Sequence, residues 1–324
     1  MKERYYIQSK GELYRDRNTL RFRNETTDTR IPVERVYDIF AEEGVSLSSG
    51  VLELLAEKEI LLHSFSHYGN YVGTFTPKES VMSGKCAVKQ AEHYNEKQKR
   101  MEIASLFVEG SIENMRLTLM KYRDDCCSAF ESLGNKQNDI NRASDIPSLM
   151  RVEGDSREEY YSCLDHQING FDFKTRTKQP PESEINALLS YLNCLLYPAT
   201  ITELYKTRLD QKVSFLHEPH ERRFSLSLDI SDIFKPIIVD RLVVSLVNQN
   251  IVSEEDFRRE GAGVFLNEDG RKTVASKFKE RLATTRKHPG TKKTHSMRRW
   301  IRMECHKITK HVLGKEEYSY VTFR

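Results

Sequence analysis

The sequence predicts an α+β multidomain protein, in which a small β-rich N-terminal domain over residues 1–83 precedes a larger all-α domain over residues 84–324. The chain has 324 residues, which is more than one hydrophobic core usually holds. Before residue 83, short segments rich in β-branched and aromatic residues alternate with turn signals. After it, apolar residues recur at the three- and four-residue spacing of helices.

The N-terminal domain is predicted to contain several strands, one helix and one hairpin. Strands are expected over residues 4–8, 11–14, 19–23, 31–33 and 36–40. A serine at position 48 or 49 can cap a helix that places Val51, Leu54 and Leu55 on one face. Residues 60–65 and 71–75 flank a turn at 67–70 and are expected to pair as a hairpin.

The second domain is predicted to be helical throughout. Helices are expected over residues 89–122, as one long helix or two joined ones, and over residues 145–165, 182–196, 229–250 and 296–313. Pro181 ends the preceding loop, so the third of these helices begins directly after it. Pro236 is expected to kink the fourth helix or to mark its first turn.

Composition excludes membrane-spanning and wholly disordered proteins. The apolar run at residues 236–239 meets Asp240 and Arg241 well before the roughly 20 residues that span a bilayer. Fifteen Phe and 15 Tyr, with many aliphatic residues, can build a core. The six cysteines are scattered and form no Cys-x-x-Cys pair, which is typical of reduced thiols. Residues 1–5 carry no apolar signal region, so we expect a cytoplasmic protein.

The charges of the chain are segregated, although the formal net charge is only +3. Residues 271–311 contain 14 Lys or Arg and two Asp or Glu, a local net charge of +12, whereas the rest of the chain carries −9. A basic region on an acidic body indicates a polyanionic partner, and a solvated charged helix face is the alternative.

A dispersed set of hard metal ligands is left once phosphate-loop, dinucleotide-binding, zincin and nucleophile-elbow motifs are found absent. Its members are Glu153, His217, Asp229 and Asp232. The two aspartates are three residues apart, on one face of a predicted apolar helix, where carboxylates are disfavoured unless paired, capped or bound to a metal. Alternatives stay open: Asp229 can cap the helix, Glu153 can pair with Arg157, and His217 can be structural.

Several motifs follow one another in a specific order. They are Glu153-Gly154 with Arg157, Glu158, Tyr160 and Tyr161; residues 186–191 and 195–197, preceded by Arg176 and Pro180-Pro181; residues 215–218; residues 223–226 and 228–232; Lys235-Pro236 with residues 239–242; and Ser296-Met297-Arg298. With residues 31–34 and 71–75, this set resembles the CRISPR-associated (Cas) protein one family, the metal-dependent nuclease and integrase of CRISPR adaptation. The resemblance covers essentially the whole chain and is strongest to the branch found with type I-B systems.

The resemblance implies a homodimer formed through residues 1–83 and a catalytic, metal- and DNA-binding domain over residues 84–324. Glu153, His217 and Asp232 fall on the catalytic metal ligands of the family, and Asp229 falls on a supporting acidic position. The implied cofactor is Mg²⁺ or Mn²⁺. The implied partners are double-stranded DNA, as spacer precursor and CRISPR repeat, and a second CRISPR adaptation protein in a heteromeric integrase complex.

The chemistry fits these residue types. A divalent cation stabilises the negative charge that builds on phosphoryl oxygens, and an imidazole beside two carboxylates favours Mn²⁺ over Mg²⁺. One site can serve hydrolysis and strand transfer, because only the attacking oxygen differs. We therefore predict a metal-dependent DNA endonuclease and spacer integrase that joins 3′-hydroxyl ends into the CRISPR repeat array by transesterification. The +12 region alone also allows a non-catalytic DNA-binding scaffold subunit.

Contacts to DNA are expected to be made with phosphates, independently of sequence. The candidates are Lys174, Arg176, Lys178, Arg222, Arg223, Lys235, Lys292, Lys293, Arg298, Arg299 and Arg302. Trp300, the only tryptophan, is expected to be buried against the helices, with stacking on a base as the alternative.

Overall fold

The computed structural model describes residues 2–78, 83–219, 224–288 and 292–323. The chain divides into two compact units, Met1–Ser80 and Val81–Arg324. The first is rich in strands and the second is mostly helical, which confirms the predicted fold class.

The described part of the first unit contains two four-stranded sheets. The strands are β1 (Glu3–Ile7), β2 (Gly11–Asp16), β3 (Thr19–Arg23), β4 (Asp28–Ile31), β5 (Val36–Ala41), β6 (Val45–Leu47), β7 (Leu62–Phe65) and β8 (Tyr71–Phe75), with helix α1 (Ser49–Glu57) between β6 and β7. One sheet has the order β1-β5-β7-β8 and the other β4-β3-β2-β6. Strands β1, β5 and β7 run parallel, and β7 and β8 form the predicted antiparallel pair.

The core of this unit lies where both sheets and α1 bring their apolar side chains together, and Leu13, Leu20 and Leu54 are fully buried there. The strand predicted over residues 31–33 is wrong in part. Strand β4 ends at Ile31 and a 3₁₀ turn follows at Val33–Arg35, because Pro32 has no N–H to donate to a strand ladder.

The second unit is built from helices joined by short irregular segments. They are α2 (Gly84–Asn95), α3 (Lys97–Leu119), α4 (Cys127–Arg142), α5 (Ile146–Ser162), α6 (Glu184–Tyr205), α7 (Ser225–Lys235), α8 (Arg241–Asn248), α9 (Glu268–Ala283) and α10 (Met297–Val312). Two short antiparallel hairpins also occur, β9 (Phe257–Glu260) with β10 (Gly263–Leu266) and β11 (Thr285–Lys287) with β12 (Thr294–Ser296).

The helix predicted over residues 229–250 is divided into three parts. Helix α7 ends at Lys235, a π-helical segment covers Pro236–Asp240, and α8 continues from Arg241. The Arg241 N–H donates to the Pro236 carbonyl oxygen, five residues back, which is the bond that defines a π turn. The predicted disturbance at Pro236 is therefore an inserted residue within the helix.

Helix α3 fixes the positions of its neighbours from the centre of the unit. It packs against α4, α5 and α7 and buries Ile103, Phe107 and Met115. Its Ser111 Oγ donates to the Asp232 carbonyl oxygen at 3.1 Å, and its Asn114 Nδ2 donates to the Ile233 carbonyl oxygen at 3.0 Å. Because these bonds join side chains to helix backbone, they set the height and rotation of α7 against α3.

Helix α5 begins where the sequence predicts. Asp145 accepts a hydrogen bond from the Ser148 N–H at 2.9 Å, and the Asp145 N–H donates to Ser148 Oγ at 3.2 Å, a reciprocal capping box. In the part of the chain that the structure describes, no helix is both long and apolar enough to cross a membrane.

Candidate functional site

A cavity of about 560 Å³ in the helical unit is lined by residues from five separate parts of the chain. Glu153 and Arg157 reach it from α5, His217 from the loop before α7, and Asp232 and Lys235 from α7 itself. The structure thus brings the three predicted metal ligands to the wall of one cavity, although 79 residues separate the first from the last along the chain.

The α5 wall of the cavity follows from helical spacing. Glu153, Arg157 and Tyr161 are four residues apart and lie on one face of the helix. Arg157 Nε donates to Glu153 Oε1 at 2.7 Å, and Arg157 Nη2 contacts the same oxygen. The ion pair that the sequence allowed for Glu153 is therefore present.

Asp229 holds the loop that carries His217. Fully buried in α7, it accepts hydrogen bonds from the backbone N–H groups of Phe215 at 2.7 Å, Leu216 at 3.1 Å and His217 at 3.0 Å. The alternative in which Asp229 caps the helix is wrong, because α7 begins at Ser225 and its first turn precedes Asp229. Asp229 instead satisfies donors of a neighbouring loop.

The same carboxylate orients the imidazole of His217. His217 Nδ1 lies 2.8 Å from Asp229 Oδ1, which leaves Nε2 facing Asp232 Oδ2 at 3.9 Å. Burial alone would lower the pKa of His217, but the hydrogen bond and charge of Asp229 and the charge of Asp232 outweigh it and raise that pKa. A carboxylate behind a histidine is the arrangement that fixes the ring of a metal-binding imidazole.

Asp232 contributes a buried carboxylate that lies close to several cationic side chains of the cavity wall. It is 5% exposed, its Oδ1 pairs with the Lys235 ammonium group, and Arg157 Nη2 lies 3.6 Å from the same oxygen. Burial would raise the pKa of Asp232, but Lys235, Arg157 and His217 together lower it to about 2. The side chain is therefore a carboxylate throughout the physiological pH range.

The carboxylate oxygens of Glu153 and Asp232 and the imidazole nitrogen of His217 are chemically suitable ligands for a divalent cation. In this structure, however, the carboxylate oxygens pair with basic side chains of the protein. Within the described residues, no three His, Cys, Asp or Glu side chains are grouped closely enough to hold a metal ion as they stand. Glu153 is paired with Arg157, and Asp232 with Lys235. Two carboxylates and one oriented imidazole fit Mg²⁺ or Mn²⁺ chemically, provided that these pairs open.

Basic side chains form another wall of the cavity. Lys174, Arg176, Lys178 and Lys235, all predicted to contact DNA, line it. Arg176 is anchored, because its guanidinium donates to Asn186 Oδ1 and to Ser190 Oγ, both at 3.0 Å. Partial desolvation at the cavity wall, followed by the positive charges of Lys235, Arg176 and Arg157, lowers the pKa of Lys178.

The other predicted DNA contacts lie elsewhere. Those that the structure describes outside the cavity wall, around β12 and on α10, are Lys292, Lys293, Arg298, Arg299 and Arg302. Arg302 Nε donates to the buried Glu203 Oε2 at 2.8 Å, so it joins α10 to α6. Arg222 and Arg223 lie outside the described residues.

Trp300 is buried, as predicted. It is 3% exposed, its indole stacks on the His288 ring at 5.0 Å between centroids, and the Phe323 ring meets it edge-on at 5.4 Å. The alternative of stacking on a base is not supported by this packing.

A buried group behind the cavity was missed from the sequence. Asp240 is fully buried, and Tyr161 Oη donates to its Oδ1 at 3.5 Å. Burial raises the pKa of Asp240 to about 6, although Arg157 and Tyr160 lower it. The signal that could have revealed it is a carboxylate directly after the apolar run at residues 236–239.

Comparisons with known proteins agree with this architecture. The profile of the family described as "CRISPR associated protein Cas1" matches residues 5–280. A curated relative from Methanocaldococcus jannaschii, "CRISPR-associated endonuclease Cas1", is 46% identical over 312 residues, which are 96% of this chain and 95% of the relative. The chain belongs to the Cas1 family of CRISPR-associated proteins.

Two solved structures share the fold. A CAS1 protein from Thermotoga maritima is 37% identical and superposes with a TM-score of 0.87, covering 99% of this chain and 100% of that one. A structure titled "Casposase bound to integration product" has the same TM-score of 0.87 at 20% identity, over 99% of this chain and 93% of that one. At that identity the second likeness concerns the fold alone.

Proposed function

We propose that this protein is a metal-dependent DNA endonuclease and spacer integrase of CRISPR adaptation, which joins 3′-hydroxyl ends of DNA fragments into the repeat array by transesterification. The observation that carries the proposal is the convergence of Glu153, His217 and Asp232 on one cavity that also has a lysine- and arginine-rich wall. The relative from M. jannaschii is named an endonuclease, and the casposase of the same fold is titled as bound to an integration product. Both names support the proposal.

The residues of the site would have different roles: metal binding, positioning of the imidazole, and phosphate binding. Glu153, His217 and Asp232 would hold Mg²⁺ or Mn²⁺, and Asp229 would keep the imidazole and its loop in place. When bound, the cation supplies charge stabilisation for the phosphoryl oxygens and acidifies the attacking hydroxyl group. Lys174 and Lys178, exposed at the cavity mouth, would hold a DNA phosphate beside the carboxylates.

The partners and the location are part of the same proposal. A solved complex that contains Cas1 and Cas2 shares this fold, which supports a second adaptation protein as partner. We propose a homodimer through the β-rich unit, where β8 is an edge strand with Val72 66% exposed. Analytical ultracentrifugation of the isolated protein is expected to give twice the mass of one chain. The six cysteines carry free thiols, which suits a reducing cytoplasm.

Strand transfer with matched variants tests the proposal. The protein is incubated with its adaptation partner, Mn²⁺, a short duplex with free 3′-hydroxyl ends and a supercoiled plasmid that carries the repeat. Asp232→Asn and His217→Ala are expected to lower strand transfer about 100-fold or more. Asp124→Asn and His166→Ala, at exposed positions away from the cavity, are expected to leave it unchanged.

Retention of strand transfer within about threefold by Asp232→Asn would show that the site is assigned wrongly. If neither the wild type nor any variant joined or cut DNA while all bound it with steep salt dependence, the protein would be the DNA-binding scaffold that the basic region also allows.

A further inference from the structure

Arg157 contacts both carboxylates that the proposed function assigns to a divalent cation. Its guanidinium contacts both acidic ligands, Glu153 through Nε at 2.7 Å and Asp232 through Nη2 at 3.6 Å. Lys235 pairs with Asp232, and His217 Nε2 lies 3.9 Å from it, but among the described residues neither forms an ion pair with Glu153. Arg157 is thus the described side chain that links the two carboxylates to each other.

The pairing follows from electrostatics. The carboxylates of Glu153 and Asp232 share a cavity with little solvent around them, since their side chains are 19% and 7% exposed. Without a counter-charge, two anions in such a place repel each other and lose hydration. The guanidinium of Arg157 supplies one positive charge and directed hydrogen bonds, which stabilise both carboxylates in their ionised forms.

The guanidinium also has an unused donor. Arg157 Nη1 is buried and forms no hydrogen bond with any atom of the described chain, while Nη2 reaches Ser111 Oγ only at 3.5 Å. A buried N–H without a partner is unfavourable unless a ligand later accepts from it. Arg157 lies in the same cavity wall as Lys174 and Lys178, where the proposed function places a DNA phosphate.

We propose that Arg157 is a positioning residue that exchanges partners during the reaction cycle: it pairs with Glu153 and Asp232 in the metal-free protein, and binds a DNA phosphate once a divalent cation has taken those carboxylates. The inference rests on the proposed function and deepens it. Arg157 then has two mutually exclusive sets of contacts. The metal ion and the guanidinium compete for the same carboxylate oxygens. Binding of the metal ion releases the guanidinium and so favours its contact with a DNA phosphate.

Competition is tested on DNA-free protein by Mn²⁺ titration, with free Mn²⁺ measured by electron paramagnetic resonance. Arg157→Gln is expected to bind Mn²⁺ about fivefold or more tightly than the wild type, because the cation no longer displaces a fixed positive charge. Arg151→Gln, at an exposed position of the same helix outside the cavity wall, is the matched control and should bind Mn²⁺ as the wild type does. Equal or weaker Mn²⁺ binding by Arg157→Gln overturns the proposal.

Cooperation is tested by the salt dependence of duplex binding. In saturating Mn²⁺, Arg157→Gln is expected to reduce the slope of log K against log salt by about 1, because one phosphate contact is lost. In EDTA the slope should match that of the wild type, since the guanidinium is then held by the carboxylates. A loss of slope that is equal in both conditions overturns the exchange of partners.

A measurement on the wild type covers the case in which Arg157→Gln does not fold. The ¹⁵Nε–H resonance of Arg157, identified by its absence in Arg157→Lys, is followed while diamagnetic Mg²⁺ is added without DNA. Release of Glu153 is expected to shift this resonance and to speed its exchange with water, and a resonance that does not respond to bound Mg²⁺ overturns the inference. A wild type that neither binds Mn²⁺ nor joins strands would instead contradict the proposed function itself.

Discussion

The stability of Asp240→Asn relative to the wild type is expected to increase as the pH rises from acidic to neutral. Asp240 is fully buried, and its Oδ2 accepts no hydrogen bond from the described residues. Burial raises the pKa of this carboxyl from 3.8 to about 6, against the opposing effects of Arg157, Tyr160, Lys235 and Arg176. The native state therefore binds this proton more tightly than the unfolded chain does.

The sign and size of the effect follow from proton linkage. Because the native state holds more protons than the unfolded state between about pH 4 and pH 6, the free energy of unfolding falls as pH rises through that interval and is unaffected by this group above it. The rise in pKa from 3.8 to about 6 corresponds to about 3 kcal/mol, at about 1.4 kcal/mol per pH unit. An asparagine side chain does not ionise in this pH range, so the variant does not lose this unfolding free energy as the pH rises.

The assay is denaturant unfolding from about pH 4 to about pH 7.5, followed by Trp300 fluorescence. Trp300 is the only tryptophan and is buried in the helical unit, so its signal reports on that unit rather than on the β-rich one. Asp124→Asn, at a side chain that is 98% exposed, is the control and should show a pH-independent difference from the wild type. If the Asp240→Asn difference stayed constant or decreased as pH rose, the reasoning about the buried carboxyl would be refuted.

Four further substitutions test other parts of the structure. Asp229→Ala is expected to cost about 3–5 kcal/mol of stability, followed by Trp300 unfolding, because three backbone N–H groups lose their acceptor; a cost below about 1 kcal/mol would contradict this. Gly110→Ala is expected to cost about 1–3 kcal/mol, because its methyl group would come within 2.8 Å of the Tyr320 Cβ. Gly154→Ala, whose methyl group would meet no described atom within 4 Å apart from the nearby backbone of its own helix, is expected to gain about 0.5–1 kcal/mol in the same measurement. Lys178→Ala is expected to lower the slope of log K against log salt for DNA binding, measured by fluorescence anisotropy, by about 1, and an unchanged slope would show that Lys178 contacts no DNA phosphate.

Local patterns sufficed for elements whose start is encoded in a few neighbouring residues. Asp145 and Ser148 form the cap that begins α5, and Ser296 accepts from the Arg299 N–H to begin α10. Both helices start within a residue of the predicted position. A cap is recognisable from sequence because its donors and acceptors lie within one turn of each other.

Elements that depend on distant partners were missed. Helices α4 and α9 were not predicted, because their apolar residues are sparse and are buried by contacts with other helices. The hairpins described in the second unit were not predicted either, and strands β11 and β12 carry no apolar residue that could have indicated them. The sequence likewise left the role of Asp229 open. Its three backbone donors lie 12 to 14 residues earlier in the chain, and only the folded loop brings them to it.

For the site, spacing indicated which neighbours could pair along one helix. The four-residue interval from Glu153 to Arg157 allowed an ion pair as an alternative to metal binding, and that ion pair is present. That the same guanidinium reaches Asp232, 75 residues further on, could not be read from any local pattern. The burial of Asp240 depends on how Tyr160 and Tyr161 pack over it, which is again a property of the assembled helices.

The inserted residue in the π-helical segment has a geometric consequence for this part of the molecule. An α-helix turns by about 100° per residue, so in an unbroken helix Asp240 would stand about 80° away from the face that carries Asp232. A π turn takes an additional residue to complete and rotates the following chain back toward that face. The Pro236–Asp240 segment therefore turns Asp240 back toward the helix face that carries Asp232, where the hydroxyl group of Tyr161 on α5 reaches its carboxylate.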